Sequence, residues 1–360
     1  MQTIVEHGLD VELLEELSIL RADRSSLDLW PGEQLEILGE EGVLADVIPK
    51  AFGGEDVAPV TLLARYEAIA QTCLETAFVL TQRNGACQRI AASENAALKE
   101  RVLPRLATGE LFTTVGISHL TTSRQHLKRP AVVANKVDGG WRFEGVAPWV
   151  SGACHADFVV TGGVVPGGMQ VLGLVHMDSA AVTVAPSADL LGFTSSETAS
   201  VAINGSTVAD EDVLAGPTER VLHAVKVGGT GSLTTSALAL GAAAASIAGI
   251  ASESDGRPEL ESPGRRLAHE MSQLRRTMYD AARGRADGAG AINRLRGAAN
   301  SLAIRSATAW LAVSKGTGYV TGHPAERAVR EAMFFLVWSC PRSVVMTNLQ
   351  ELATPAEHMR

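Results

Sequence analysis

Apolar residues along this chain recur with two periods, and the change between them divides it. From about Pro31 to Glu110 the spacing is helical. LEILGEEGVL and TLLARYEAIAQTCLETAFVLTQ place Leu, Ile, Ala and Val three and four residues apart, and PKAFGGED breaks them with one proline and two glycines. From Leu111 to about Leu214 short β-branched runs take over: AVVANKV, DGGWRF, DFVVTGGVV, MQVLGLVHM, AVTVAP and ETASVAING predict strands. Asp138-Gly139 predicts a hairpin turn between the first two. From Gly216 onward helical spacing returns. SALALGAAAASIAGIAS is rich in small residues that let helices approach closely; RRLAHEMSQLRRTMYDAARGRADGAGAINRL and LAIRSATAWLAVSKG follow, and a final helix runs through SVVMTNLQELA.

The expectation is a multidomain α+β chain: an N-terminal helical domain over 1–112, a central antiparallel, barrel-like β domain over 113–215, and a C-terminal domain like a four-helix bundle over 216–360. No internal repeat interrupts that order.

Composition narrows the partners. With 360 residues, 46% of them hydrophobic, the chain can bury a large core, and a formal charge of −9 disfavours nucleic acid and anionic membrane surfaces. The acidic start MQTIVEHGLDVELLEEL is unlike a secretory signal, and Ser236–Ala251, the longest weakly polar stretch, is short for a membrane span. Cys73, Cys87, Cys154 and Cys340 are scattered without a C-x-x-C pair, so neither a zinc site nor a disulfide framework is expected and the cytoplasm is the expected location.

Five segments in order resemble the acyl-CoA dehydrogenases over roughly Pro31 to Ala353: GEEGVLADVIPKAFGGED, KERVLPRLATGELFTT, DGGWRFEGVAPWVSGACHADFVV, SADLLGFTSSETASVAINGSTVADEDVLAGP and GTGYVTGHPAERAVREAM. The resemblance implies a flavin-dependent oxidoreductase, FAD as cofactor, an acyl-CoA or other acyl thioester as substrate, and a homodimer or homotetramer. In that family a Trp and a hydroxyl two residues later lie against the isoalloxazine, which Trp149 and Ser151 match. A flat indole can stack on a flavin and a hydroxyl can hydrogen-bond a ring heteroatom. Ser118 holds the hydroxyl position of a second flavin segment, and Ser123 stands where that segment has a glycine. Arg257 matches the arginine of the adenosine-binding element, in a shortened segment. Lys315-Gly316 replaces the family's Gly-Gly pair, and Gly316 and Gly318 belong to that last cofactor element.

The family's catalytic glutamate is absent. Arg330-Glu331-Ala332 matches the preceding Arg-Asp-Ala, and Ser339-Cys340-Pro341 then falls where Glu-Gly-Thr is usual. Ser339 occupies the base position, but a neutral hydroxyl lacks a carboxylate's basicity, so the usual removal of an α-proton is not expected there. His119 and Glu197 are alternative bases; Cys340 reads as a buried thiol, and Glu331 as a structural ion-pair member. Three readings stand: a flavin enzyme with another base, a flavin monooxygenase-like relative, or a non-catalytic partner subunit that keeps the fold.

Overall fold

The computed structural model describes residues 7–24, 29–121, 129–225, 233–254, 257–285, 288–338 and 340–353. The first helices are α1 (Val11–Arg24), α2 (Gly32–Glu40), α3 (Pro59–Thr72), α4 (Leu74–Ala91) and α5 (Ala96–Ala107). The β stretch follows as β1 (Thr113–Gly116), the short α6 (Ser118–Thr121), β2 (Val132–Val137), β3 (Gly140–Val150), β4 (Phe158–Val164), β5 (Gln170–His176), β6 (Val182–Val184), β7 (Ala199–Ala209) and β8 (Val213–Thr218). The last helices are α7 (Val221–Ala224), α8 (Leu233–Glu253), α9 (Glu261–Ala282), α10 (Gly288–Val313), α11 (Lys315–Gly318), α12 (Pro324–Met333) and α13 (Arg342–Leu352). The helix, strand, helix order is the one the periodicity predicts.

The chain divides into two compact units. One comprises residues 1–27, 58–77 and 229–360; the other comprises 28–57 and 78–228. The helical unit owes its discontinuity to close packing of α3 on α8. A Cβ at Gly241 would come within 2.5 Å of the Glu67 carbonyl and 2.7 Å of the Ala70 Cβ, so only glycine permits that approach. Gly249 likewise makes room for the Trp310 indole on α10. α8 is 21 residues long and apolar enough to cross a membrane, longer than the weakly polar stretch suggests, but it is largely buried against α3, α9, α10 and α12. Its apolar character is thus that of a core helix.

Periodicity read the segment from Arg265 to Leu295 as one pattern, and the fold breaks it. Gly284, just past α9, and Gly288, the first residue of α10, adopt left-handed φ of +75° and +80°, and α10 then absorbs the next apolar run. Within the same unit the buried Glu67 receives hydrogen bonds from Arg275 Nε at 2.6 Å and the Tyr279 hydroxyl at 2.9 Å. This ties α3 to α9 and satisfies a carboxylate that burial would otherwise penalise. Glu331 of α12 meets Arg21 of α1 at 3.0 Å, the structural pairing its sequence position suggested.

In the β unit the strands run in the order β6-β7-β3-β2-β4-β5-β8, with β1 on β4. The pairing is mainly antiparallel, and β1 and β2 join β4 in parallel, so the sheet is mixed rather than purely antiparallel. β2 and β3 pair Val137 with Gly140 across the Asp138-Gly139 turn, Gly139 at φ +73°. Val132, Ala134, Phe143, Ala147, Val150, Val159, Val171, Val175, Val201, Ile203 and Val208 form one buried cluster. Alternation on the paired strands sends these side chains to a common face. One irregularity matters for function. The β3–β7 register shifts between Ala147 and Val150, and this bulge contains Pro148 and Trp149.

Candidate functional site

The bulge in β3 turns Trp149 outward. Its backbone adopts φ +58°, in the left-handed region that bulky residues rarely occupy, and its indole is 59% exposed. A large aromatic held strained and outward is packing poorly for its own chain, and such strain tends to gather at ligand sites. Among the described residues no ring contact involves Trp149, whereas Trp30 and Trp338 each stack on a neighbour.

The hydroxyls around this bulge are organised. Ser118, at the start of α6, donates to the Pro148 carbonyl at 3.0 Å, which brings it to the residue before Trp149. Ser151 is buried, its hydroxyl 2.7 Å from that of Thr198; Thr198 in turn lies 2.8 Å from the Ser196 hydroxyl. Three hydroxyls in a chain use two protons between them and leave the third for an outside acceptor. A ring heteroatom next to Trp149 would be such an acceptor. The Gly152 N–H donates to the Ser196 carbonyl at 2.9 Å and pins the two loops together. This arrangement fits a flat, polar-edged cofactor, with an exposed indole for its face and a spare hydroxyl proton for its rim.

Other sequence candidates fall elsewhere. His119 is buried, with Nε2 2.8 Å from the Gly162 carbonyl. A nitrogen donating to a carbonyl has no lone pair with which to take a proton, so Nε2 ties α6 to β4 rather than serving as a base. Ser123 and Ser339 lie outside the described residues. Cys340 is half-buried, with Sγ 3.4 Å from the Phe335 and Trp338 carbonyls and 3.7 Å from Arg296, and burial pushes its thiol up, opposed by Arg296. It is a protonated thiol, not a poised nucleophile.

In the helical unit, Arg257 donates to the Val313 carbonyl at 3.1 Å from both terminal nitrogens and contacts Glu253 at 3.4 Å. It staples α8 to the end of α10, and both of its terminal nitrogens already bond protein groups. Gly316 and Gly318 lie in α11. A Cβ at Gly318 would come within 2.6 Å of the Ser314 Cβ, a packing reason for that glycine, while Gly316 faces open space. Arg330 pairs with Glu326 one turn away at 2.7 Å, and this hydrogen bond holds the Glu326 carboxyl below the usual range. Between α1, α8, α10 and α12 lies a cavity of about 50 Å³ lined by Arg21, Ser246, Trp310 and Glu331, room for water and not for a ring cofactor.

Sequence reasoning missed Thr198, Ser196, Cys154, His155 and Trp30. Glu197, singled out as a possible base, instead accepts from Cys154 Sγ at 2.9 Å and His155 Nε2 at 3.0 Å. His155 stacks on Trp30, ring centroids 4.2 Å apart and 12° from parallel. The hydroxyl-rich SSET run was visible in the sequence, but its pairing with Ser151 was not.

Comparison with known proteins agrees with this architecture. Residues 15–110 match the family described as acyl-CoA dehydrogenase, N-terminal domain. The mitochondrial short-chain specific acyl-CoA dehydrogenase of Rattus norvegicus is 22% identical over 340 residues, 88% of this chain and 81% of that protein. A pigment production hydroxylase of a Rhodococcus species is 27% identical over 159 residues, 44% of this chain and 36% of the hydroxylase. The solved structure of glutaryl-coenzyme A dehydrogenase in complex with glutaryl-CoA superposes with a TM-score of 0.83 at 18% identity, covering 97% of each chain.

Proposed function

The chain belongs to the acyl-CoA dehydrogenase superfamily, and from that premise we propose that it binds FAD at the β3 bulge and acts as an oxidoreductase on an acyl thioester or related compound without the usual glutamate base. The observation that carries this reading is Trp149, exposed and in a left-handed backbone conformation on a strand bulge. The bound flavin supplies hydride and electron transfer that no side chain can perform. Trp149 would hold such a ring by stacking on its face. Ser151, through the hydroxyl chain with Thr198 and Ser196, offers a proton to a ring heteroatom, and Ser118 holds the bulge by its bond to Pro148. The protein is further proposed to be a cytoplasmic homodimer or homotetramer.

A second reading, a flavin monooxygenase-like activity, draws support from Ser339 in place of a carboxylate and from the similarity to a hydroxylase. Reduced flavin and oxygen need no carboxylate base at that position to begin the reaction.

The test is direct. Purified protein incubated with FAD is expected to retain about one flavin per chain, and saturated acyl-CoA esters added without oxygen are expected to leave that flavin largely oxidised. Rapid bleaching by those esters would overturn the claim of an altered base. Failure to take up FAD or FMN would overturn flavin binding and leave the partner-subunit reading. Substrate hydroxylation with reduced flavin and oxygen would select the second reading.

A further inference from the structure

We propose that Cys154, His155 and Glu197 form a binding site for a borderline-soft divalent cation, with zinc as the natural occupant. The site lies beyond the flavin reading and does not depend on it. Two turns of the β unit meet there. A 3₁₀ turn, Ala153–His155, follows Gly152 at φ +65°, and another, Thr194–Ser196, ends on Glu197 at φ +43°. They bring a thiol, an imidazole and a carboxylate together, all three ligand atoms within 4.8 Å of one another.

The hydrogen bonding has an unusual convergence. The thiol and the imidazole nitrogen both point at the same carboxylate oxygen, Glu197 Oε2, at 2.9 and 3.0 Å. A cation placed among the three atoms replaces both of those contacts. Zinc binds sulfur at about 2.3 Å and nitrogen or oxygen at about 2.0–2.2 Å in tetrahedral geometry, which sets the ligand atoms roughly 3.4–3.6 Å apart. The two contacts to Glu197, at 2.9 and 3.0 Å, are shorter than that spacing, so each must lengthen by roughly half an ångström to admit the ion. Three protein ligands leave a fourth position for water or an anion.

The site is braced and accessible. Trp30 stacks on His155 and fixes its ring plane, and Gly152 makes this stacking possible, because a Cβ there would collide with the Trp30 ring. Cys154 is exposed, so a cation has an entry path. Mixed sulfur, nitrogen and oxygen donors suit zinc or cobalt and not magnesium or calcium, which prefer all-oxygen shells. Without metal, burial and the Glu197 hydrogen bond push the Cys154 thiol up to about 11, so it stands as a protonated donor to Glu197. Occupancy would clamp the turn after β3 to the turn before β7, the two loops that carry Ser151 and Thr198.

The experiment is a titration of metal-stripped, full-length protein with cobalt(II), reading the thiolate-to-metal charge-transfer absorption, followed by displacement with zinc. The expected result is one equivalent per chain, a thiolate band removed by zinc, and indifference to excess magnesium. Cys154→Ser abolishes the band, and Glu197→Gln and His155→Ala weaken binding at least roughly tenfold. Circular dichroism without metal shows that the variants remain folded. A thiolate band that persists in Cys154→Ser, affinity unchanged in both other variants, or no saturable cobalt uptake would overturn the proposal.

Discussion

The hydroxyl of Ser151 lies 2.7 Å from that of Thr198, across 47 residues of sequence, and both are buried. Thr198→Val keeps the shape and removes the link, leaving Ser151 and Ser196 each short of a partner. Stability should fall by about 1–3 kcal/mol. Flavin affinity should fall by roughly tenfold as well, because the hydroxyl chain can no longer direct its spare proton outward. Urea denaturation and flavin titration separate the two effects.

Trp149 should show the opposite balance. In Trp149→Gly, relief of left-handed strain, worth about 1–2 kcal/mol, offsets the loss of the covered part of the indole, so the melting temperature should change little. Flavin binding should weaken at least roughly tenfold, since aromatic stacking is lost. A large drop in thermal stability together with unchanged flavin binding would mean that the indole serves packing alone.

Arg21 and Glu331 should behave as a buried pair. The Glu331 side chain is 5% exposed and Arg21 22%, with both guanidinium-to-carboxylate contacts near 3 Å. Glu331→Ala strands the Arg21 charge and should cost about 3 kcal/mol. The double variant Arg21→Met/Glu331→Leu should recover most of that loss, because replacing both charges with apolar groups removes the desolvation penalty. Equilibrium unfolding of the two single variants and the double variant closes the cycle.

His176 and Asp212 should impose a pH dependence on the β unit. The hydrogen bond that His176 donates to Asp212 raises the His176 pKa above its ordinary value. Burial pushes Asp212 up, but the His176 hydrogen bond and the charges of His176 and Arg101 outweigh it and leave its pKa lowered. A raised histidine contributes stability that is full below its unfolded pKa and lost as pH rises through the folded one. A lowered aspartate contributes stability that is lost as pH falls through its folded pKa. The pair is therefore strongest in mildly acidic solution and weakens both toward alkaline and toward strongly acidic pH. His176 is half-exposed and solvent screens the pair, so stability should rise between pH 8 and pH 6 by less than about 1 kcal/mol. His176→Gln should flatten it in urea melts taken across that range.

The sequence alone determined the order of elements, because each helix or strand repeats its apolar residues with a local period. It also determined the Asp138-Gly139 turn, and by resemblance it singled out Trp149, Ser151 and the pairing role of Glu331. Helix ends were less legible. The break between α9 and α10 rests on left-handed glycines, which leave no mark on apolar spacing.

Only the tertiary structure decided which distant residues meet. α3 joins the C-terminal helices because Gly241 allows contact that no local pattern records. The Ser151–Thr198 link and the meeting of Cys154 and His155 with Glu197 depend on β3 lying beside β7 in a particular register. The bulge in that register is what turns Trp149 outward. Periodicity reports how a segment buries one of its faces. Register and close approach are set by packing between segments far apart in the chain, where the interaction energy depends on geometry that the order of residues does not display.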